Sequence, residues 1–437
     1  MHAETLRLFK RAINDSLRHL QPYIGKYTEQ HEIWHKESES KWCGRYEERV
    51  DIQKTLYAVE QEIKTFSIAF EESFVLHHSD HAGLVGLSGS QTNLGISPAY
   101  IVLNALFQLW SRHKTFELQS DEVELIAEEF SDFIERPSVK LKFQTQLINF
   151  KMSADALDLP AQLSIRRLSE EEVTQMHGGP ISTLGFTRQR FSSIHEFVIE
   201  GFIDEPKILG NANSPGELMV TRAKILLDKA TLCLRTFKQG PVGYDFIHFR
   251  PMTFCPVGQF STGNSDFYVP FGSYSLVGDE LEKFSDHAKL IFSASDASMI
   301  IACSRLADAE HRTQAQDRII DAVIGMEAIL LSCHEPKGEM SFRFSLNYAM
   351  LFPVDEREGA YNIAKDLYNL RSTIAHGSVI TNSKLKIDGK KVDLPAAAKI
   401  ATSALRTIIT HFLAIKGSPY KNSEFWRRAY FGLPNTD

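Results

Sequence analysis

Apolar residues recur at three- and four-residue steps near both ends of the chain and lose that rhythm between them, which predicts helical, mixed and helical stretches in turn. Leu6, Phe9, Ile13, Leu17 and Leu20 make one apolar stripe. Val102, Leu106 and Leu109 make another behind Ser97 and Pro98, an N-cap and first-turn pair. Asp121 and Glu124 read as a capping box for a helix that Pro137 closes. Residues 1–137 are therefore expected to form a helical region, with a loop over 77–96.

From 138 to 280 short β-prone runs appear between Gly- and Pro-containing turns: Phe197 to Ile199, Phe246 to Phe249, and Phe267 to Val269. Ser169 with Glu172 forms a capping-box pair among them, and Leu218, Ala223, Leu226, Leu227 and Ala230 hold mostly helical spacing after Ser214-Pro215-Gly216. This region reads as α+β. Over 281–437 helical periodicity returns, with Ile319, Val323, Met326, Ile329 and Leu330 on one face and Phe342, Leu346, Ala349 and Met350 on another. The class is mainly α with an α+β middle region, ending in a helical bundle.

A 437-residue chain that is 43% hydrophobic and 24% charged has enough apolar sequence for large cores and favours two or three domains. No apolar run approaches the roughly 20 residues of a membrane span, and the N-terminus lacks a secretory layout, so a cytoplasmic location is expected. The five cysteines are scattered without a C-x-x-C pair, which predicts free thiols and no zinc ribbon. A net charge of −7 argues against a surface that coats nucleic acid, so any RNA contact must be local.

The chemistry concentrates near the C-terminus, in Arg371-Ser372-Thr373-Ile374-Ala375-His376-Gly377. A permanent cation that forks onto phosphate and an imidazole that titrates near neutrality suit phosphodiester chemistry. On a regular helix five residues place Arg371 and His376 about 140° apart. Either the helix ends or bends between them, with Gly377 at C′, or a second copy of the chain completes the site. Downstream, Asp388-Gly389 predicts a hairpin that presents Lys384, Lys386, Lys390 and Lys391 beside the motif, for phosphate contact or as ordinary surface lysines.

At these positions the chain resembles the HEPN superfamily, in its Apea-like branch: an arginine, a small polar residue, three further positions, then His-Gly. The likeness extends upstream through Asp321 to Ala328 and Glu339 to Leu346, and covers roughly the last third of the chain. Many catalytic members carry Asn, Asp or His directly after the arginine, where this chain has Ser372. The resemblance implies metal-independent endoribonuclease activity leaving a 2′,3′-cyclic phosphate, with no cofactor and no metal. His376 would transfer protons, Arg371 would stabilise phosphate charge and Ser372 would orient either of them. It further implies a homodimer through the C-terminal bundle, RNA as partner, and a role in prokaryotic antiviral defence or toxin-like cleavage. The N-terminal regions would sense a trigger or regulate the nuclease.

A plainer reading stands beside this one: Arg371 pairs with a carboxylate, and His376 caps a helix C-terminus where the dipole favours a cation. The corresponding function is a non-catalytic dimerisation or RNA-binding module. Glu327 and Arg343 are charges among apolar helix positions and are expected in ion pairs, with Glu327 a candidate to hold Arg371 or His376 in place. His77, His78, Asp80 and His81 lack zinc-ligand spacing, and Gly83, Gly86 and Gly89 lack the lysine of a phosphate-binding loop.

Overall fold

The architecture is that of a computed structural model, which describes residues 1–38, 41–79, 86–87, 98–117, 120–177, 179–180, 195–208, 219–256, 260–262, 272–333, 339–377, 385–415 and 417–433. About 58% of the described residues are helical, so the chain is mainly α with an α+β component. Among them no helix is long and apolar enough to cross a membrane.

The chain forms two compact units, each assembled from three segments. One comprises 1–146, 162–226 and 245–265, and the other 147–161, 227–244 and 266–437. Residues 138–280, expected as a single mixed region, are thus distributed over both.

In the first unit the predicted N-terminal stripe is buried as Phe9, Ile13, Leu17 and Leu20 on the helix Ala3–Leu20. Helices Glu60–His77, Pro98–His113 and Ser120–Glu135 join it around an aromatic core. Phe9 lies 4.7 Å from Phe130 and 5.2 Å from Phe70, and Phe254 meets Phe130 edge-on at 5.5 Å between ring centroids. Strand Phe197–Ile208 pairs antiparallel with Ser138–Ile148 on one side and Leu163–Arg167 on the other. Ser169 and Glu172 form the expected capping box: the Glu172 N–H donates to Ser169 Oγ at 3.2 Å and the Ser169 N–H to Glu172 Oε2 at 3.0 Å.

The region read as mainly helical also contains a long antiparallel hairpin, Thr28–Ser38 with Lys41–Val50. Its period-two signal is weak because most positions are charged or polar. Only Ile33 is a buried apolar residue of the ribbon, and Trp34 and Trp42 pack on a small cluster of Leu168, Val173 and Val198. Thr174 holds the ribbon in place: its hydroxyl accepts from the Trp34 N–H at 2.9 Å and donates to the Trp34 carbonyl at 3.1 Å.

The second unit is dominated by helices Glu280–Ser293, Ala297–His311, Ala315–Leu330, Met340–Ala349, Arg357–Ala375 and Leu394–Leu413. Ile319, Val323, Met326, Ile329 and Leu330 are fully buried, as their spacing predicts. Gly325 sits on this face because a Cβ there would lie 2.6 Å from Leu405 Cδ2 and 3.1 Å from Arg305 Cβ. The bare backbone lets the Leu394–Leu413 helix approach closely.

For Met340–Ala349 the apolar face differs from the expected one. Phe342 is half exposed, while Phe344, Ser345, Asn347, Tyr348 and Ala349 are buried. Two polar residues occupy that face because each is hydrogen-bonded: Ser345 Oγ donates to the Ser341 carbonyl at 2.7 Å and Asn347 Nδ2 to the Leu330 carbonyl at 2.6 Å. Counting apolar residues alone shifts the phase of this helix.

Candidate functional site

The helix Arg357–Ala375 carries the motif. Leu367 and Leu370 are buried and anchor it, which leaves the last turn near the surface. The helix runs regularly through Arg371 and ends at Ala375. His376 is its C-cap, with its backbone N–H donating to the Ser372 carbonyl at 3.0 Å. Gly377 follows at φ +70°, the left-handed C′ position that glycine adopts without strain.

The helix therefore terminates after His376 rather than bending between it and Arg371. Regular geometry keeps the two side chains on faces about 140° apart within one chain. His376 is exposed. Arg371 is half-buried, with 30% of its side chain exposed, and it turns towards the helix Ala315–Leu330.

There Arg371 Nη2 donates to Glu327 Oε2 at 3.4 Å. The contact is long for a charge-assisted bond, which usually closes to about 2.7–2.9 Å. Arg371 Nε is buried and has no hydrogen-bond partner. Burial pushes the Glu327 carboxyl above the usual carboxylate range, while the Arg371 charge pulls it back down. Tyr368, three residues before Arg371, belongs to the same cluster. Burial raises its phenol and the Glu327 charge raises it further, and its ring lies 5.1 Å from that of Phe344.

The structure thus brings Glu327 to Arg371. It does not bring Arg343 there: Arg343 is half-buried, its charge acts on Cys333 and Tyr430, and it forms no ion pair among the described residues, contrary to expectation. Ser372 offers its carbonyl to the His376 N–H. Both parts of the plainer reading, a paired arginine and a histidine at a helix C-terminus, are present in the geometry.

The Asp388-Gly389 hairpin forms, with Lys386 opposite Lys391 and Ile387 opposite Lys390. Asp388 at φ +51° and Gly389 at φ +71° give the left-handed pair that a tight two-residue turn requires. Ile387 is buried beneath the turn, and the Asp388 N–H donates to Asp366 Oδ2 at 2.9 Å. Asp366 lies on the motif helix, so this bond ties the lysine-bearing turn to the motif's own scaffold. Lys386, Lys390 and Lys391 are exposed, and Lys384 lies outside the described residues.

Asp366 and Tyr368 were not legible as site residues. Only their position within one or two turns of Arg371 in the same helix hints at a role. At the other candidate cluster His77 stacks on His2 at 3.7 Å and His78 Nε2 accepts from the His2 N–H at 3.2 Å, while Asp80 and His81 lie outside the described residues. No group of three potential metal ligands occurs among the described residues.

Compared with known proteins, the chain matches no protein-family model, no curated protein and no solved structure.

Proposed function

We propose that the protein is a metal-independent endoribonuclease of HEPN type whose site is composite, with Arg371 of one copy and His376 of another acting on one phosphodiester. The observation that carries this reading is the placement of the two residues. Arg371 has five N–H donors and, among the described residues, uses one of them in a single long bond, while His376 stands exposed at the helix end five residues on. A regular helix holds them apart in one chain, and a two-fold pairing of copies removes that separation.

In this mechanism His376 takes the proton from the ribose 2′-hydroxyl or delivers one to the leaving 5′-oxygen. The 2′-oxygen attacks phosphorus, the P–O5′ bond breaks, and a 2′,3′-cyclic phosphate remains. General acid–base transfer of this kind contributes about 10²–10⁴-fold. Arg371 meets the charge that develops on the non-bridging oxygens. Glu327 is a positioning residue that holds the guanidinium until phosphate competes for it. The exposed Lys386, Lys390 and Lys391 add sequence-independent affinity for the backbone. A defence or toxin-like role, with the N-terminal regions sensing a trigger or regulating cleavage, follows from the resemblance alone.

The test uses wild type, Arg371→Ala and His376→Ala on mixed RNAs in excess EDTA, with fragment ends identified. Cleavage to cyclic-phosphate ends that each substitution abolishes supports the reading. Mixing the two inactive variants then tests the composite site. A heterodimer retains one intact site if Arg371 and His376 come from different copies, and none if they come from the same one. Wild-type RNA binding without cleavage instead supports the binding-module function.

A further inference from the structure

The first unit contains a cavity of about 310 Å³. That is near the lower end of the about 300–1,000 Å³ typical of small-ligand sites and suits one mononucleotide rather than a long polymer. Four separate segments build it: the helix Pro98–His113, the helix Ser120–Glu135, the strand Ser138–Ile148 and the end of the strand Gly243–Pro251.

The wall supplied by Pro98–His113 is polar and aromatic. Asn104, Phe107 and Gln108 line the cavity, with Arg112 one turn further along the same face. Asn104 Nδ2 donates to the Pro256 carbonyl, and Gln108 Nε2 donates to the Cys255 carbonyl at 3.0 Å. These bonds fix the orientation of both carboxamides and leave their oxygens as acceptors. Two pre-oriented acceptors beside an aromatic ring suit a flat heterocycle that carries N–H donors.

The charge on the walls is of the opposite kind. Arg112, Lys142 and Arg250 line the cavity against one carboxylate, Glu129. Arg112 is held by Glu129 through bonds of 2.6 and 3.1 Å, and Glu129 also accepts from the Phe254 N–H at 2.6 Å. Lys142 pairs with Glu200 at 2.9 Å. Arg250 has no hydrogen bond or ion pair among the described residues, so its whole fork remains available at the cavity. An unpaired arginine with paired cations behind it is suited to a phosphate dianion.

We propose that this cavity binds a nucleoside monophosphate whose base carries an exocyclic amine. Arg250 takes the phosphate, Phe107 offers a face to the base, and the Asn104 and Gln108 oxygens accept from the amine. The assignment goes beyond ribonuclease activity and does not depend on it, because binding is read without RNA.

Calorimetric titration of the full chain with AMP against IMP, and CMP against UMP, isolates the amine, since each pair exchanges an amine for a carbonyl. Ribose 5-phosphate and inorganic phosphate are the controls. The expected result is binding of the amine-bearing member at least tenfold tighter than its partner in one or both pairs, and tighter than either control. Arg250→Glu, at an exposed position, should weaken that nucleotide at least tenfold while thermal unfolding is unchanged. Equal binding within both pairs, phosphate binding as tightly as the nucleotides, an unaffected Arg250→Glu variant, or no saturation by AMP or CMP below about 1 mM would each overturn the assignment.

Discussion

Arg371 and Glu327 meet across two helices of the second unit with Nη2 and Oε2 3.4 Å apart, while Arg371 Nε is buried without a partner. The guanidinium is therefore held but not saturated. A phosphate at Arg371 would compete with one carboxylate whose ionised form is already disfavoured by burial.

If Arg371 contacts phosphate, removing its competitor should strengthen RNA binding. Glu327→Gln is expected to lower the Kd for single-stranded RNA at low salt. Arg371→Ala should raise it and make the slope of log affinity against log salt shallower by about 0.7, the value of one phosphate contact. Filter binding from 50 to 200 mM salt reads both. An unchanged slope in Arg371→Ala would show that the residue does not touch the backbone.

Gly325 is predicted to be intolerant of any side chain. The added Cβ in Gly325→Ala would lie 2.6 Å from Leu405 Cδ2, so the Leu394–Leu413 helix must shift or Leu405 must leave its rotamer. Overpacking of this kind costs about 1–3 kcal/mol, visible as a lower thermal midpoint. Gly325→Ala combined with Leu405→Ala should lose less than the two single effects added together, because the tightest contact, with Leu405 Cδ2, disappears in the double variant.

The elements that were legible in sequence are those whose chemistry is local. The motif helix follows from its apolar stripe and from Gly377, and the Lys386–Lys391 hairpin follows from Asp388-Gly389. The hairpin from Thr28 to Val50 was hidden because its stability draws on Thr174 and on the cluster around Leu168, far away in the chain. The Met340–Ala349 face was out of phase because Ser345 and Asn347 are buried through hydrogen bonds. At the site, Glu327 stood out as a charge among apolar positions. That it meets Arg371 depends on how two helices cross, which residue spacing does not encode. The cavity in the first unit had no sequence signal, since its walls combine three consecutive elements with the strand end around Arg250, far along the chain.

The lysine turn offers a separable effect. Lys390 and Lys391 are exposed, and they sit on a hairpin fixed by Ile387 and by the Asp388 N–H bond to Asp366. Replacing both with glutamate should leave the free energy of unfolding within about 0.5 kcal/mol of wild type, as for surface changes generally. RNA affinity should fall and lose salt dependence. Asp366→Ala, which frees the turn, should weaken RNA binding less than the double charge reversal does. The opposite order would place the effect in the scaffold and not in the lysine charges.

Glu205 supplies a pH test in the first unit. Its side chain is fully buried on the strand Phe197–Ile208, its Oε1 has no partner, and Arg222 reaches its Oε2 only at 3.4 Å. Burial pushes its carboxyl from 4.5 up to about 7, against the pull of Arg222. A pKa raised by folding means that the folded state binds the proton more tightly than the unfolded state. The stability this contributes is complete below about pH 4.5 and is lost as pH rises through about 7. Glu205→Gln keeps the shape but cannot ionise. Its stability relative to wild type should therefore increase from pH 4.5 to pH 8, by up to about 3 kcal/mol at 1.36 kcal/mol per unit. Paired denaturant curves at the two pH values measure the change, and a difference that stays constant would mean that Glu205 does not titrate in the folded protein over this range.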